Sequence, residues 1–316
     1  MPTIPQEHAD DAARTPTPAD AHGQRRTRSR CLPRRCSWTS TGCTRAWATP
    51  RCACSTAPRT CRRSRSARRG SRAGGPTGNA RIPGADHVCM VDDLSDPAGR
   101  YPYTLPPDAR LEALLSRLGI GHEHRVVLYG AAHPMVVTRA WWVLSALGHA
   151  RVSILDGGWE GWTREGRPVT NEHARRSPAR FTAARRADWI ADADDVARAI
   201  AGGAACVLNA LSREQFDGRG GAHYGRQGRI PSSVSVPARD LVDYATMRWA
   251  PPDRLAARFA AAGITDRSQP VITYCGGGIA ASVPFFALRM LGFERVALYD
   301  NSLLEWAADP ARPMER

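Results

Sequence analysis

The sequence predicts an α/β fold made of two tandem units, each a parallel sheet flanked by helices. Short apolar strands alternate with amphipathic helices from about residue 81 onward, a pattern typical of parallel sheets. The pattern also repeats at an offset of 144 to 148 residues. Strand 126–129 corresponds to strand 271–274, Leu155-Asp156 to Tyr299-Asp300, and Trp162 to Trp306.

The first unit is expected over residues 81–166. Leu111, Leu114, Leu115 and Leu118 lie at helical spacing after a Pro-Pro-Asp start and before Gly119, which predicts a helix. An apolar helix is expected around 139–144 and a short one over 157–162. Strands are expected over 125–129 and 152–155. This unit alone looks incomplete, because the repeat places its first strands upstream, near residue 41.

Residues 167–187 are rich in Arg and Pro and predict a linker, which leaves 188–316 as the second unit. Helices are expected there over 192–200, over 252–262 and after the glycines at 276–278. Strands are expected over 205–209 and 271–274, and a polar loop over 212–224.

Residues 1–80 differ from the rest in composition. Sixteen Arg against four acidic residues give this segment +12 of the chain's net +14, and it holds six of the nine Cys. It shows no helical or strand periodicity, so it is interpreted as a disordered arm, a nucleic-acid-binding arm or a stretch read out of its natural frame. We favour the third, because the repeat requires strands here. The Cys spacing does not match a zinc site.

No run of eighteen apolar residues exists, and the N-terminus lacks the apolar core of a secretory signal. We therefore expect a cytoplasmic protein without a membrane span.

One run, residues 271–282, carries the chemistry. An apolar strand leads into Cys275, then Gly276, Gly277 and Gly278, then a helix. Glycines allow backbone N–H groups to turn toward one point, and the helix directs its positive end there. A sulfur at that point is expected to be stabilised as a thiolate that is open to solvent. The competing interpretation is a buried structural cysteine.

This run, with Leu298-Tyr299-Asp300 and Glu305-Trp306, resembles the C-terminal half of two-domain rhodaneses, the thiosulfate or 3-mercaptopyruvate sulfurtransferases. Leu155-Asp156-Gly157-Gly158-Trp159 resembles the signature of their N-terminal half. The resemblance implies that Cys275 takes a sulfane sulfur as a persulfide and passes it to a thiol or cyanide. It implies no metal or cofactor. The backbone of Gly276, Gly277, Gly278, Ile279 and Ala280 would hold the charged sulfur.

The chain also departs from that family. Thiosulfate-type loops usually carry cations after the cysteine, and mercaptopyruvate-type loops often have a small polar residue at the third position. Gly276 and Gly277 supply neither, so the donor stays open. Gln215 stands where many members have a donor-binding arginine, which leaves Arg213, Arg219 and Arg226 as candidates. The remaining differences are that Asn209 replaces an Asp that often ends a strand, and that Gly130 stands in the first half where the second has Cys275. The first half is therefore expected to be silent and to act as a packing partner. His133 is expected to be a surface or interface residue and not a catalytic base.

Three other functions were weighed. A cysteine phosphatase would need an arginine where Ala281 stands. A regulatory or interaction module with an idle cysteine is disfavoured by the presence of Cys275. An Arg-rich nucleic-acid binder has support only from residues 21–80.

Overall fold

The computed structural model describes residues 37–38, 55–56, 80–131, 133–221 and 224–316, the first two pairs by their backbone. In chain order the strands are β1 Ser37–Trp38, β2 Ser55–Thr56, β3 Val126–Gly130, β4 Val152–Leu155, β5 Ile190–Ala191, β6 Cys206–Asn209, β7 Val234–Ser235, β8 Val242–Asp243, β9 Arg248–Trp249, β10 Val271–Tyr274 and β11 Val296–Tyr299. The α-helices are α1 Asp108–Arg117, α2 Pro134–Ala146, α3 Gly158–Arg164, α4 Ala193–Gly202, α5 Arg213–Phe216, α6 Pro252–Ala261, α7 Ser282–Met290 and α8 Ser302–Trp306.

Two parallel sheets organise these elements. Among the described residues, the first sheet has the order β1-β4-β3-β2 and the second has the order β5-β11-β10-β6-β7. β8 and β9 form a separate antiparallel pair. The predicted α/β class with parallel sheets flanked by helices is therefore confirmed.

Most predicted elements lie within a few residues of their expected bounds, and the strand predicted over 152–155 matches β4. The polar loop expected over 212–224 is wrong at 213–216, where α5 forms. The cause is a capping box. The Ser212 side chain accepts the Gln215 N–H, and the Gln215 side chain accepts the Ser212 N–H.

The repeat explains where the N-terminal strands lie. β1 pairs with β4 as β5 pairs with β11, and β2 pairs with β3 as β6 pairs with β10. No strand pattern is visible in the sequence at these positions, yet the backbone of the two dipeptides takes the places beside β4 and β3 that the repeat requires. The other predictions for residues 1–80, including the six Cys, concern residues outside the described part and stay predictions.

The repeat extends to individual hydrogen bonds. The Tyr129 hydroxyl accepts the Ile82 N–H at 3.1 Å, and the Tyr274 hydroxyl accepts the Ile230 N–H at 3.1 Å. Likewise, the indole N–H groups of Trp162 and Trp306 each donate to a proline carbonyl at 2.8 Å. The two halves therefore share the same local architecture.

Helices α2 and α7 join the two halves. The hydroxyls of Thr138 and Ser282, which are 144 residues apart, lie 2.7 Å from each other. An aromatic cluster surrounds this contact, with the rings of Trp141 and Phe286 4.7 Å apart in an edge-on arrangement. The buried faces of both helices thus form one continuous core across the halves.

Each half also binds the other through the Asp that follows its β4 or β11 strand. Asp156 accepts the Trp249 N–H at 3.0 Å, and Asp300 accepts the Leu105 N–H at 2.7 Å. These pairs are equivalent under the repeat. Among the described residues, no helix has the length and apolarity needed to cross a bilayer.

Candidate active site

Cys275 lies directly after β10, at the carboxyl end of the second sheet. Its N–H donates to the Ser302 hydroxyl at 3.1 Å, and its carbonyl accepts the Leu303 N–H at 3.2 Å. The Gly276 carbonyl accepts the Leu304 N–H at 2.8 Å. The start of α8 therefore fixes the backbone on both sides of the cysteine.

The loop after Cys275 is rich in unpaired donors. Within the part of the chain that the structure describes, the N–H groups of residues 276–280 donate to no protein acceptor. α7 begins two residues later, at Ser282. Unpaired backbone N–H groups next to a helix N-terminus favour an anion, because they supply donors and a positive partial charge.

Each of the three glycines is required by a close approach of another group. Gly278 has φ +78°, and a Cβ there would collide with the Asp300 carbonyl oxygen. A Cβ on Gly277 would lie 2.8 Å from the Leu304 Cδ1. A Cβ on Gly276 would overlap the Tyr224 ring. The loop is therefore packed from three sides, and side chains within it would open it.

The expectation of a solvent-open thiol is wrong for this structure, because Cys275 is only 2% exposed. The ring of Tyr224 packs directly on Gly276, in the space that a side chain there would fill. The Tyr224 hydroxyl hydrogen-bonds to the Gln215 side chain. Burial, and then the negative charge of Cys275, raise the pKa of Tyr224. The phenol therefore stays neutral and covers the loop.

The three candidate arginines have different surroundings. Arg226 donates to the carbonyls of Trp306, Ala307, Asp309 and Arg312. Arg219 pairs with Asp217 at 2.6 Å, and the exposed Arg213 lies over the Phe216 ring. Of these three, Arg226 lines a narrow cleft beside Tyr224.

The other predicted positions are as follows. Cys206 lies in β6, where burial raises the pKa of its thiol to about 11. Asn209 is fully buried and its Oδ1 accepts the Leu211 N–H at 2.8 Å. His133 is exposed just before α2, as predicted, and Gly130 ends β3 without a thiol.

Sequence reasoning missed Arg139, which is fully buried in α2 and pairs with Asp300 at 2.6 Å. The available signal was an arginine inside the apolar run of a predicted buried helix. Such a charge needs a partner, but the sequence does not indicate which one.

Comparison with known families decides the assignment. The rhodanese-like domain family matches residues 78–165 and 193–309. The chain belongs to the rhodanese family. The two matched segments carry β3 and β4 of the first sheet and β6, β7, β10 and β11 of the second, so the tandem organisation of this rhodanese is seen in both its sequence and its fold.

Named relatives agree on the class of enzyme. The 3-mercaptopyruvate sulfurtransferase of Escherichia coli K12 is 30% identical over 242 residues, which are 75% of this chain and 84% of that protein. The human 3-mercaptopyruvate sulfurtransferase is 28% identical over 71% of this chain and 76% of its own length. This rhodanese is therefore a sulfurtransferase.

Solved structures show the same fold. SseA from Escherichia coli, a crystal structure with the rhodanese fold, gives a TM-score of 0.72 at 25% identity and covers 84% of this chain and 98% of its own. Tum1 from Saccharomyces cerevisiae gives 0.74 at 20% identity, over 88% of this chain and 97% of its own.

The substitution Gly278→Ala tests the close approach at the loop. We expect it to lower the free energy of unfolding by about 1–2 kcal/mol for the left-handed backbone and by a further ~1–3 kcal/mol for the collision. Gly263→Ala is the matched control, since Gly263 also has φ +78° but has nothing within 4 Å of a Cβ. Urea unfolding of both variants measures the difference. Equal losses would show that Gly278 is not packed against Asp300.

The substitution Tyr224→Ala tests the cover over the thiol. We expect iodoacetamide to modify Cys275 on the order of tenfold faster in this variant, because the ring no longer blocks the sulfur. Mass spectrometry of tryptic peptides 268–289 and 199–213 separates Cys275 from Cys206. Cys206 is the internal control for unfolding and should not change. An unchanged Cys275 rate would show that Tyr224 does not cover the thiol.

Proposed function

We propose that Cys275 is the sulfur-carrying nucleophile of this sulfurtransferase. Its thiolate attacks the outer sulfur of thiosulfate or the thiol sulfur of 3-mercaptopyruvate and forms an S–S bond, while the S–S bond of thiosulfate or the C–S bond of 3-mercaptopyruvate breaks and releases sulfite or pyruvate. In the second case the thiol proton of the donor ends on the methyl carbon of pyruvate. A thiol or cyanide acceptor then attacks the outer sulfur of the persulfide and releases the Cys275 thiolate.

One observation carries this proposal: Cys275 is followed by five consecutive backbone N–H groups that have no acceptor among the described residues. We propose that Gly276, Gly277, Gly278, Ile279 and Ala280 direct these groups at the sulfur. Negative charge is present on the thiolate before transfer and on the outer sulfur afterwards. Preorganised donors stabilise both without reorganising, which is the largest contribution that such a site can make.

The cleft beside Tyr224 supports a route for the donor. It is lined by Gln215, Tyr224 and Arg226, among others. The four carbonyl contacts of Arg226 are made by its Nε and Nη2 atoms, and its positive charge attracts an anionic donor. The donor reaches Cys275 once the Tyr224 ring turns away from Gly276.

The donor favoured by these observations is 3-mercaptopyruvate. The loop supplies no cationic side chain at positions 276 and 277, and two relatives carry the name of the mercaptopyruvate enzyme. SseB from Mycobacterium tuberculosis is 34% identical over 74% of this chain and carries a provisional thiosulfate sulfurtransferase name. Thiosulfate therefore belongs in the same experiment.

The position of Cys275 also suggests a different role for each half of the chain. We propose a silent N-terminal domain over 81–166, a linker over 167–187 and a catalytic domain over 188–316. Gly130 ends the equivalent strand of the first half and supplies no nucleophile.

A non-catalytic interaction module is the second candidate, because Cys275 is 2% exposed. Such a module would keep its cysteine permanently covered. A phosphatase is not favoured, since Ala281 is fully buried where phosphate chemistry needs an arginine.

Incubation with each donor, followed by mass spectrometry of the intact protein, tests the proposal. We expect a gain of one sulfur atom that maps to Cys275, and the donor that produces it identifies the substrate. Cys275→Ser should abolish both the gain and the transfer to an acceptor. Cys206→Ser is the matched control and should retain both. A protein that gains no sulfur from either donor, or gains it with Ser at position 275, would contradict the assignment.

A further inference from the structure

The repeat relates the two faces that join the halves, residue by residue. Tyr103 and Met247 both have positive φ, at 68° and 58°. Two residues later, Leu105 and Trp249 donate their N–H groups to Asp300 and Asp156. All of these pairs are 144 residues apart. The interface therefore has an approximate two-fold relation.

This relation is broken at one position. Arg139 in α2 corresponds to Val283 in α7, so only the first half carries a cation there. Asp156 of the silent half consequently faces no equivalent arginine from α7. The asymmetry lies on the side of the interface that contacts the Cys275 loop.

Arg139 reaches from the first half into the second. Its Nη2 atom lies 2.6 Å from the Asp300 Oδ1 and donates to the Tyr103 carbonyl at 2.7 Å. Its Nη1 atom lies 3.5 Å from the Gly278 carbonyl oxygen. The guanidinium carbon also lies 4.5 Å from the centre of the Trp142 ring. The guanidinium group of a fully buried arginine thus contacts both the loop and Asp300.

The Arg139–Asp300 pair matters for the loop because Asp300 lies beside it. The Asp300 Oδ1 is 3.2 Å from the point where a Cβ on Gly278 would lie, so the carboxylate is next to the loop. An unpaired carboxylate here would repel a thiolate, a persulfide and an anionic donor alike, and burial would strengthen the repulsion. Arg139 cancels that charge.

We propose that Arg139 is a positioning residue that the silent half contributes to the active loop: it neutralises Asp300 and keeps the loop suited to an anionic sulfur. The proposal rests on the proposed function of Cys275 and extends it, since the first half is then needed for chemistry and not only for packing. Among the described residues, the phenols of Tyr103 and Tyr224 are the other titratable groups that face the loop.

The test is the pH profile of Cys275 alkylation by iodoacetamide, followed in peptide 268–289. It is run in the natural sequence and in the Tyr224→Ala background, where the thiol is uncovered. Arg139→Met and Arg139→Gln both leave Asp300 unpaired, and we expect either to raise the midpoint of the profile by about one pH unit. Arg139→Lys should restore the midpoint, because it keeps the charge. Sulfur transfer by the Met and Gln variants should fall on the order of tenfold in kcat/KM.

The double variant Arg139→Gln/Asp300→Asn separates charge from packing. It contains no buried charge at this site, so we expect it to return to the original midpoint although both side chains have changed. Arg117→Met is the matched control, since it breaks an exposed pair with Asp93 in the same half and should not move the profile. Thermal unfolding of every variant reports its folded fraction.

The outcomes decide the proposal even where a single variant fails to fold. An unchanged midpoint in a folded Arg139→Met or Arg139→Gln variant overturns it. If neither folds, the double variant decides, and a raised midpoint there contradicts the charge role. A Cys275 that reacts in neither background also overturns it. If the midpoints move as expected but no persulfide forms, the proposed function fails while the Arg139 inference stands.

Discussion

The row of backbone N–H groups after Cys275, which have no acceptor in the described part of the chain, is the feature on which the rest of the site depends. Five backbone donors can lie unpaired only where the chain around them is held by other bonds. Ser302, Leu303 and Leu304 provide those bonds from α8, and Asp300, which directly follows β11, packs against Gly278. The residues that hold the loop lie so close to it that a Cβ at position 276, 277 or 278 would collide with Tyr224, Leu304 or Asp300. These three positions therefore require glycine.

The internal repeat gives this fold two related parallel sheets, and the candidate site lies at the second one. The halves still share strand order, the tyrosine and tryptophan hydrogen bonds, and reciprocal Asp contacts across the interface. They differ at Cys275 against Gly130 and at Arg139 against Val283. The half that lacks the proposed nucleophile therefore carries the cation that contacts the loop after Cys275.

The sequence was sufficient for the strands, the helices and the position of the loop, because periodicity and the repeat report on local structure. It missed α5, although the Ser212-x-x-Gln215 capping box was a readable signal. Neither the cover by Tyr224 nor the Arg139–Asp300 pair could be predicted. Both join residues that are 52 or more positions apart, and nothing local in the sequence indicates such contacts.

A crystal structure of the protein after treatment with 3-mercaptopyruvate tests the central claim most directly. The account predicts one additional sulfur on Cys275, within hydrogen-bond distance of several N–H groups of residues 276–280, with the Tyr224 ring displaced from Gly276. An extra sulfur that points away from those N–H groups, or a cysteine left unmodified under an unmoved ring, would contradict it.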